Sequence, residues 1–143
     1  MGITLTTWRS CGYDKDGDED IDAEDLRLIT PEDVFQVFKK HYWDRYQADF
    51  IHNQSVANLC VDWLWMSGAP AIRRVQQLLQ ITVDGIVGPQ TVASINLANQ
   101  RQLFESIKVD RIRFVDEICT RNPSQKVFRK GWMNRINDFK FQS

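Results

Sequence analysis

The chain has 143 residues, the size of one domain, and its 43% hydrophobic and 11% aromatic content is enough to bury a real core. A net charge of −1 excludes the strongly basic balance of a nucleic-acid binder, and no apolar run approaches the roughly 18 residues of a membrane span. The opening residues, Met1 to Trp8, have neither a basic region nor a long apolar stretch and do not read as a secretory signal.

The first patterned segment is acidic. Between positions 14 and 25 stand Asp14, Asp16, Asp18, Glu19, Asp20, Asp22, Glu24 and Asp25, against Lys15 alone, which leaves the remainder of the chain net basic. Set on an EF-hand loop, Asp14, Asp16 and Asp18 fall at the first three side-chain ligand positions. Asp20 offers its backbone carbonyl, Asp22 follows, and Asp25 closes the loop. Ile21 falls where such loops turn an apolar residue inward. Without a cation these carboxylates repel one another, and Ca²⁺ favours dense hard oxygen ligands. The expectation is therefore a structural Ca²⁺ held by Asp14, Asp16, Asp18, Asp20, Asp22 and Asp25. Two departures count against it: Glu19 stands where the loop needs Gly, and Asp25 is shorter than the usual bidentate Glu. The alternative is a solvated acidic loop.

Everything after this segment reads as helix. Thr30-Pro31-Glu32-Asp33 is a helix start, with a capping hydroxyl, Pro in the first turn and acids at the positive end. Val34, Phe35, Phe38 and Tyr42 recur behind it at helical spacing. Asn53 or Ser55 opens a second helix, with Val56, Leu59, Cys60 and Trp63 on one face, and Gly68 stops it. Pro70 opens a third, bearing Ile72, Val75, Leu78 and Leu79. Pro89 starts a fourth with Val92, Ala93 and Ile95. Leu103, Phe104, Ile107, Val115, Ile118 and Cys119 carry the pattern along a long helix that Asn122-Pro123 ends. A last helix carries Phe128, Trp132, Ile136 and Phe139. No segment alternates as a strand, so the fold class expected is all-α. Cys11, Cys60 and Cys119 are odd in number and spaced for no metal site; Cys60 and Cys119 lie in apolar helical patterns and read as buried thiols.

The segment between the third and fourth helices, Asp84-Gly85-Ile86-Val87-Gly88-Pro89-Gln90-Thr91, has the punctuation of a tight connector. Gly85 and Gly88 tolerate positive φ, and Pro89 ends the turn while beginning a helix. Physical chemistry alone asks nothing more of it than a turn. The order Asp-Gly-x-x-Gly-Pro-x-Thr after Val75-Gln76-Gln77-Leu78-Leu79 nevertheless resembles peptidoglycan-binding modules. More narrowly, the chain resembles the C-terminal three quarters of the glycoside hydrolase family 108 lysozymes. These are bacterial and phage N-acetylmuramidases, some known as secretion activator proteins. The residues that carry the likeness are Gly2-Ile3-Thr4, Ile29-Thr30-Pro31-Glu32, Tyr42-Trp43-Asp44, Asp62-Trp63 with Ser67-Gly68, the turn itself, and Gly131-Trp132 with Arg135.

The resemblance implies a lysozyme-like helical fold and a peptidoglycan partner, the alternating aminosugar backbone of the wall. It divides the chain into residues 1–50, a remainder of the catalytic region with the acidic loop, and residues 51–143, a peptidoglycan-binding region. In those lysozymes the acid is the Glu of a Glu-Gly-Gly-Tyr motif, followed by Pro-x-Asp-Pro-Gly-Gly-x-Thr just before Gly-Ile-Thr. Here Gly2-Ile3-Thr4 is preceded only by Met1, so the chain is expected to be truncated, with no catalytic residue of its own. Glycoside cleavage needs an acid with a raised pKa and usually a second carboxylate. Asp62, beside Trp63 and Trp65, is the one carboxylate that burial could adapt to that task; the preferred reading is a helix residue bonded to a neighbouring segment. Glu32, Asp44 and Asp49 read as cap and surface residues, and His41 and His52 are isolated.

Of the five Trp residues, Trp8, Trp43, Trp63 and Trp132 are read mainly as core. Trp65, two positions from the stripe that includes Trp63, is the one expected to face outward. The residues expected to meet the wall are therefore Asp62, Trp65, Asp84, Gly85, Gly88 and Thr91. The leading expectation is a peptidoglycan-directed, lysozyme-like domain acting at the periplasm or cell wall once exported. The alternatives are a non-catalytic wall-binding or regulatory module and a Ca²⁺-binding interaction protein. No nucleic-acid partner is expected, and a helix face left uncovered would favour a homodimer.

Overall fold

The computed structural model describes residues 30–142, and among them every regular element is helical. The acidic segment and its expected Ca²⁺ ligands lie outside the described residues. Residues 1–45 and residues 46–143 form two compact units.

In the first unit, α1 spans Pro31–Phe38. Its start is built by exchange: the Thr30 hydroxyl accepts from the Asp33 backbone N–H at 3.3 Å, and the Asp33 carboxylate accepts from the Thr30 N–H at 2.8 Å. Two donors that the helix leaves orphaned are thus satisfied. The helix runs directly into a π-helical turn, Lys39–Trp43. There the Asp44 N–H reaches back five residues to the Lys39 carbonyl at 2.7 Å, and the Lys39 ammonium closes on the Asp44 carboxylate at 3.0 Å.

The second unit begins with Tyr46, which is fully buried. After a short 3₁₀ turn, Ala48–Phe50, come α2 (Gln54–Ser67), α3 (Ala69–Leu79), α4 (Pro89–Leu97) and α5 (Gln100–Arg121). A 3₁₀ segment, Pro123–Phe128, then leads into α6 (Arg129–Asp138). Asn53 caps α2, its side chain accepting from the Val56 N–H at 3.0 Å. Gly68 separates α2 from α3 at φ 72°, a value that side-chain-bearing residues rarely adopt. Its N–H closes α2 on the Leu64 carbonyl and its own carbonyl opens α3 by accepting from Ala71.

Two details depart from the periodicity. The apolar pattern runs from α4 into α5 almost without interruption, yet the chain breaks at Ala98, where the backbone becomes extended and Asn99 caps α5 by accepting from the Gln102 N–H. Phe128 and Phe139 flank α6 rather than belong to it.

Helix α5 is the spine, packed against α2, α3, α4 and α6. Leu59, Cys60, Trp63 and Leu64 of α2 are buried, as are Ile72 and Val75 of α3, Ile95 of α4, Phe104 and Ile107 of α5, and Ile136 of α6. Cys60 and Cys119 are buried free thiols, as the periodicity predicts. The tail folds back over this core: Phe141 packs on Phe104 with ring centroids 5.6 Å apart. Gln142 ties to the start of α2, its carbonyl accepting from Asn53 at 3.0 Å and its N–H donating to Ser55 at 2.9 Å.

Asn53 therefore caps a helix and anchors the tail. Asn53→Ala is expected to lower stability by about 1 kcal/mol, the usual value of an N-cap, read as an earlier midpoint in urea denaturation. An unchanged midpoint would show that neither contact matters in solution.

Candidate functional site

The Asp84–Thr91 segment is organised around a side chain eight residues upstream. Gln76 is 1% exposed, and a buried amide is tolerated only if its polar atoms are met. Its Nε2 donates to Asp84 Oδ1 at 2.9 Å, to the Ile86 carbonyl at 3.0 Å and to Thr91 Oγ1 at 3.2 Å. Its Oε1 accepts from the backbone N–H groups of Asp84 at 3.1 Å and Gly85 at 3.0 Å. The Asp84 carboxylate also accepts from the Ile86 N–H at 3.0 Å, an Asx turn. Gln47 secures the far side by donating to the Val87 carbonyl at 2.7 Å.

The Ile86 N–H and then the Gln76 amide hold the Asp84 carboxyl below the usual carboxylate range. Gly85 sits at φ 74°, where an added Cβ would also meet the Arg73 guanidinium at 3.0 Å. Gly88 does not share that requirement: it is extended, at φ −110°, and serves as the residue before Pro89 at the start of α4. Of the residues expected to meet the wall, Thr91 is thus buried and the Asp84 carboxylate faces Gln76. Asp84 itself, Ile86, Pro89 and Gln90 are exposed, as is Val83 just before the turn, while Gly85 and Val87 are buried.

The second constellation lies where α2, α5 and α6 meet. Arg111 of α5 is 4% exposed and donates to Asp62 Oδ2 at 3.1 Å. Arg135 of α6 donates to the same carboxylate, with its Nη2 2.6 Å from Oδ1 and its Nε 3.1 Å from both oxygens. Burial pulls the Arg111 guanidinium below its ordinary pKa, and the Asp62 charge works against that pull. The Arg111 guanidinium also lies 5.8 Å from the ring centres of Trp63 and of Phe139. A pocket of about 150 Å³ opens beside this cluster, its walls including Trp63, Phe114 and Trp132, with Ser67, Arg111 and Arg135 as its polar members. Trp63 is buried and Trp65 half-buried, in the order that the helical spacing predicts.

Asp62 is held in an arrangement that suits ion pairing rather than acid catalysis. Both of its oxygens accept from guanidinium N–H groups. Burial pushes the Cys60 thiol up to about 11, far from a usable nucleophile. No group of three or more His, Cys, Asp or Glu side chains suited to a metal occurs among the described residues.

Sequence reasoning did not single out Gln76 or Arg111, though each carries a signal. Gln76 sits in the stripe of Ile72, Val75 and Leu79, and Arg111 sits four residues from both Ile107 and Val115. A polar residue on a buried helix face needs a partner. The same logic applies to Arg74, which bridges α3 to Asp110 and Glu117 of α5 at 2.9 and 3.1 Å.

Asp62→Ala would leave Arg111 charged and unpaired in the core. The expected cost is about 3 to 5 kcal/mol, and Asp62→Ala combined with Arg111→Met should recover much of it in chemical denaturation. Equal stability of Asp62→Ala and wild type would contradict the clamp. The Asp84 contribution has a defined pH window. Because its folded pKa is lowered, its stabilisation is present above the ordinary carboxylate pKa and lost as pH falls through the lowered folded value. Melting temperature should therefore decline less steeply with acid in Asp84→Asn than in wild type, and parallel acid limbs would refute this.

Residues 1–68 match the glycosyl hydrolase 108 family. Residues 70–137 match a family described as a predicted peptidoglycan domain. The structure described as that of Brucella abortus SagA is similar to this chain with a TM-score of 0.76, covering 95% of this chain and 73% of that one at 21% identity. At that identity the likeness speaks for the fold. No curated protein matches the sequence. The two family matches follow one another across Gly68–Pro70 and together run from residue 1 to 137: a glycosyl hydrolase 108 match leads into a peptidoglycan-domain match, and the chain is a peptidoglycan-directed, lysozyme-like domain.

Proposed function

We propose that these 143 residues bind the peptidoglycan of the bacterial wall through the second unit and do not themselves cleave it. The observation that supports binding most directly is the match of residues 70–137 to the peptidoglycan domain, a stretch that folds with α2 into one packed unit. The substrate class is the wall polymer of aminosugars and short peptides, and the place of action is the cell wall or periplasm. Within the Asp84–Thr91 turn, Asp84, Gly85, Gly88 and Thr91 act by holding α3 and α4 in register, while Asp62 acts by orienting Arg111 and Arg135. Trp65 is the remaining candidate for direct contact.

The case against cleavage is chemical. Hydrolysis of the glycan needs a protonated acid and usually a second carboxylate beside it. The Glu-Gly-Gly-Tyr motif that supplies the acid in the lysozymes this chain resembles occurs nowhere in the 143 residues. Purified chain should therefore co-sediment with insoluble peptidoglycan sacculi yet leave no cleared band in a peptidoglycan zymogram. A cleared band would overturn the non-catalytic reading, and a chain that stays in the supernatant would overturn wall binding.

The acidic segment supports a second, separable property. We propose that Asp14, Asp16, Asp18, Asp20, Asp22 and Asp25 hold one structural Ca²⁺, since the ion would relieve the mutual repulsion of closely spaced carboxylates. Calorimetric titration with Ca²⁺ should show saturable heat and a raised melting temperature. Absence of both would leave the segment as a solvated loop.

A further inference from the structure

The pocket between α2, α5 and α6 has a composition that selects among the parts of a wall polymer. Both charged residues that line it, Arg111 and Arg135, are cationic, and Ser67 is the other polar member; the remaining lining is aromatic or aliphatic. Asp62 neutralises one of the two guanidiniums, so the cluster keeps one positive charge. Arg111 is committed, donating to Asp62 and, at 3.5 Å, to the Leu59 carbonyl. Arg135 is half-exposed and uses Nε and Nη2 on Asp62, which leaves Nη1 without a partner among the described residues.

The size is equally selective. A volume of about 150 Å³ is of the order that accepts a benzene-sized group. An N-acetylated aminosugar is larger and carries hydroxyls and an amide that this wall would leave largely unpaired. The peptide stems of peptidoglycan instead end in small apolar residues bearing a free carboxylate, which is the complement of an aromatic pocket with one spare guanidinium edge.

On the reading that this chain is wall-directed, we propose that the pocket receives the carboxylate end of a peptidoglycan stem peptide, the carboxylate on Arg135 and the small side chain among Trp63, Phe114 and Trp132. The pocket draws Trp63 and Ser67 from the region matched by the hydrolase family and Arg111, Phe114, Trp132 and Arg135 from the peptidoglycan domain. Recognition then belongs to the packed unit and to neither family region alone.

The test is titration of the 143-residue chain with N-acetyl-D-alanyl-D-alanine and with its C-terminal amide, followed by tryptophan fluorescence. The free acid should bind and the amide should bind about tenfold more weakly, the effect of losing one charge-assisted contact. Arg135→Gln should produce the same loss for the acid, and Arg135→Lys should recover part of it. Because Arg135→Gln also unloads Asp62, Ser67→Leu provides a variant that narrows the pocket without touching the ion pair, and it too should weaken binding. Equal binding of acid and amide, or indifference to both Arg135→Gln and Ser67→Leu, overturns the proposal. Co-sedimentation with intact sacculi and with sacculi stripped of their peptides separates the two levels. Retention on intact sacculi alone supports the proposal. Equal retention on stripped sacculi overturns it while leaving wall binding in place, and retention on neither overturns both.

Discussion

A guanidinium removed from water inside a helical core is tolerable only when a carboxylate meets it. In this chain Asp62 meets Arg111 there and Arg135 at the surface. That three-residue cluster joins one helix from each of three places in the sequence, α2, α5 and α6. Trp63, the residue after Asp62, packs edge-on against Phe114 with centroids 5.9 Å apart. Trp132, one helical turn before Arg135, packs on Phe128 at 5.7 Å. The pocket opens beside these ion pairs, with Trp63, Phe114 and Trp132 among its walls. The charge it displays is the charge that Asp62 leaves over.

Gln76 imposes a second, more local constraint. The amide presents both donors and an acceptor, so a single buried side chain can organise a segment that has no regular hydrogen bonding of its own. This explains the composition of the turn. Asp84 is needed for its short reach to the Ile86 N–H, Gly85 for its positive φ, and Thr91 for a hydroxyl that a buried amide can use. Such a turn fixes how α4 leaves α3 and keeps Val83 and Ile86 outward. What the turn does within the fold is architectural: it ties α3 to α4 inside the region matched by the peptidoglycan domain.

Much of the fold was legible because its signals are local. Thr30, Asn53, Gly68, Pro70 and Pro89 mark helix ends through backbone groups a few residues away, and all five stand where the sequence places them. The order of burial of Trp63 and Trp65 follows from helical spacing alone. The break at Ala98 was not legible, since the apolar spacing continues across it and Asn99 is an inconspicuous cap. The partners of Asp62 were not legible either: Arg111 lies 49 and Arg135 73 positions away, and only tertiary packing brings them together. The resemblance to known lysozymes carried Asp62, Trp132 and Arg135 as separate landmarks. It could not say that they meet.

The region matched by the hydrolase family extends through α2, yet α2 is packed within residues 46–143 together with the helices of the peptidoglycan domain. A family boundary in sequence and a boundary of packing are different things, and the pocket lined by Trp63, Arg111 and Arg135 lies across the first and within the second. The most direct test is chemical-shift mapping of the isotopically labelled 143-residue chain titrated with soluble peptidoglycan fragments that retain their peptides. The perturbed amides should gather on α2, α5 and α6 around Trp63, Trp132 and Arg135. Perturbations confined to residues 1–45, or none at all at saturating fragment, would contradict it.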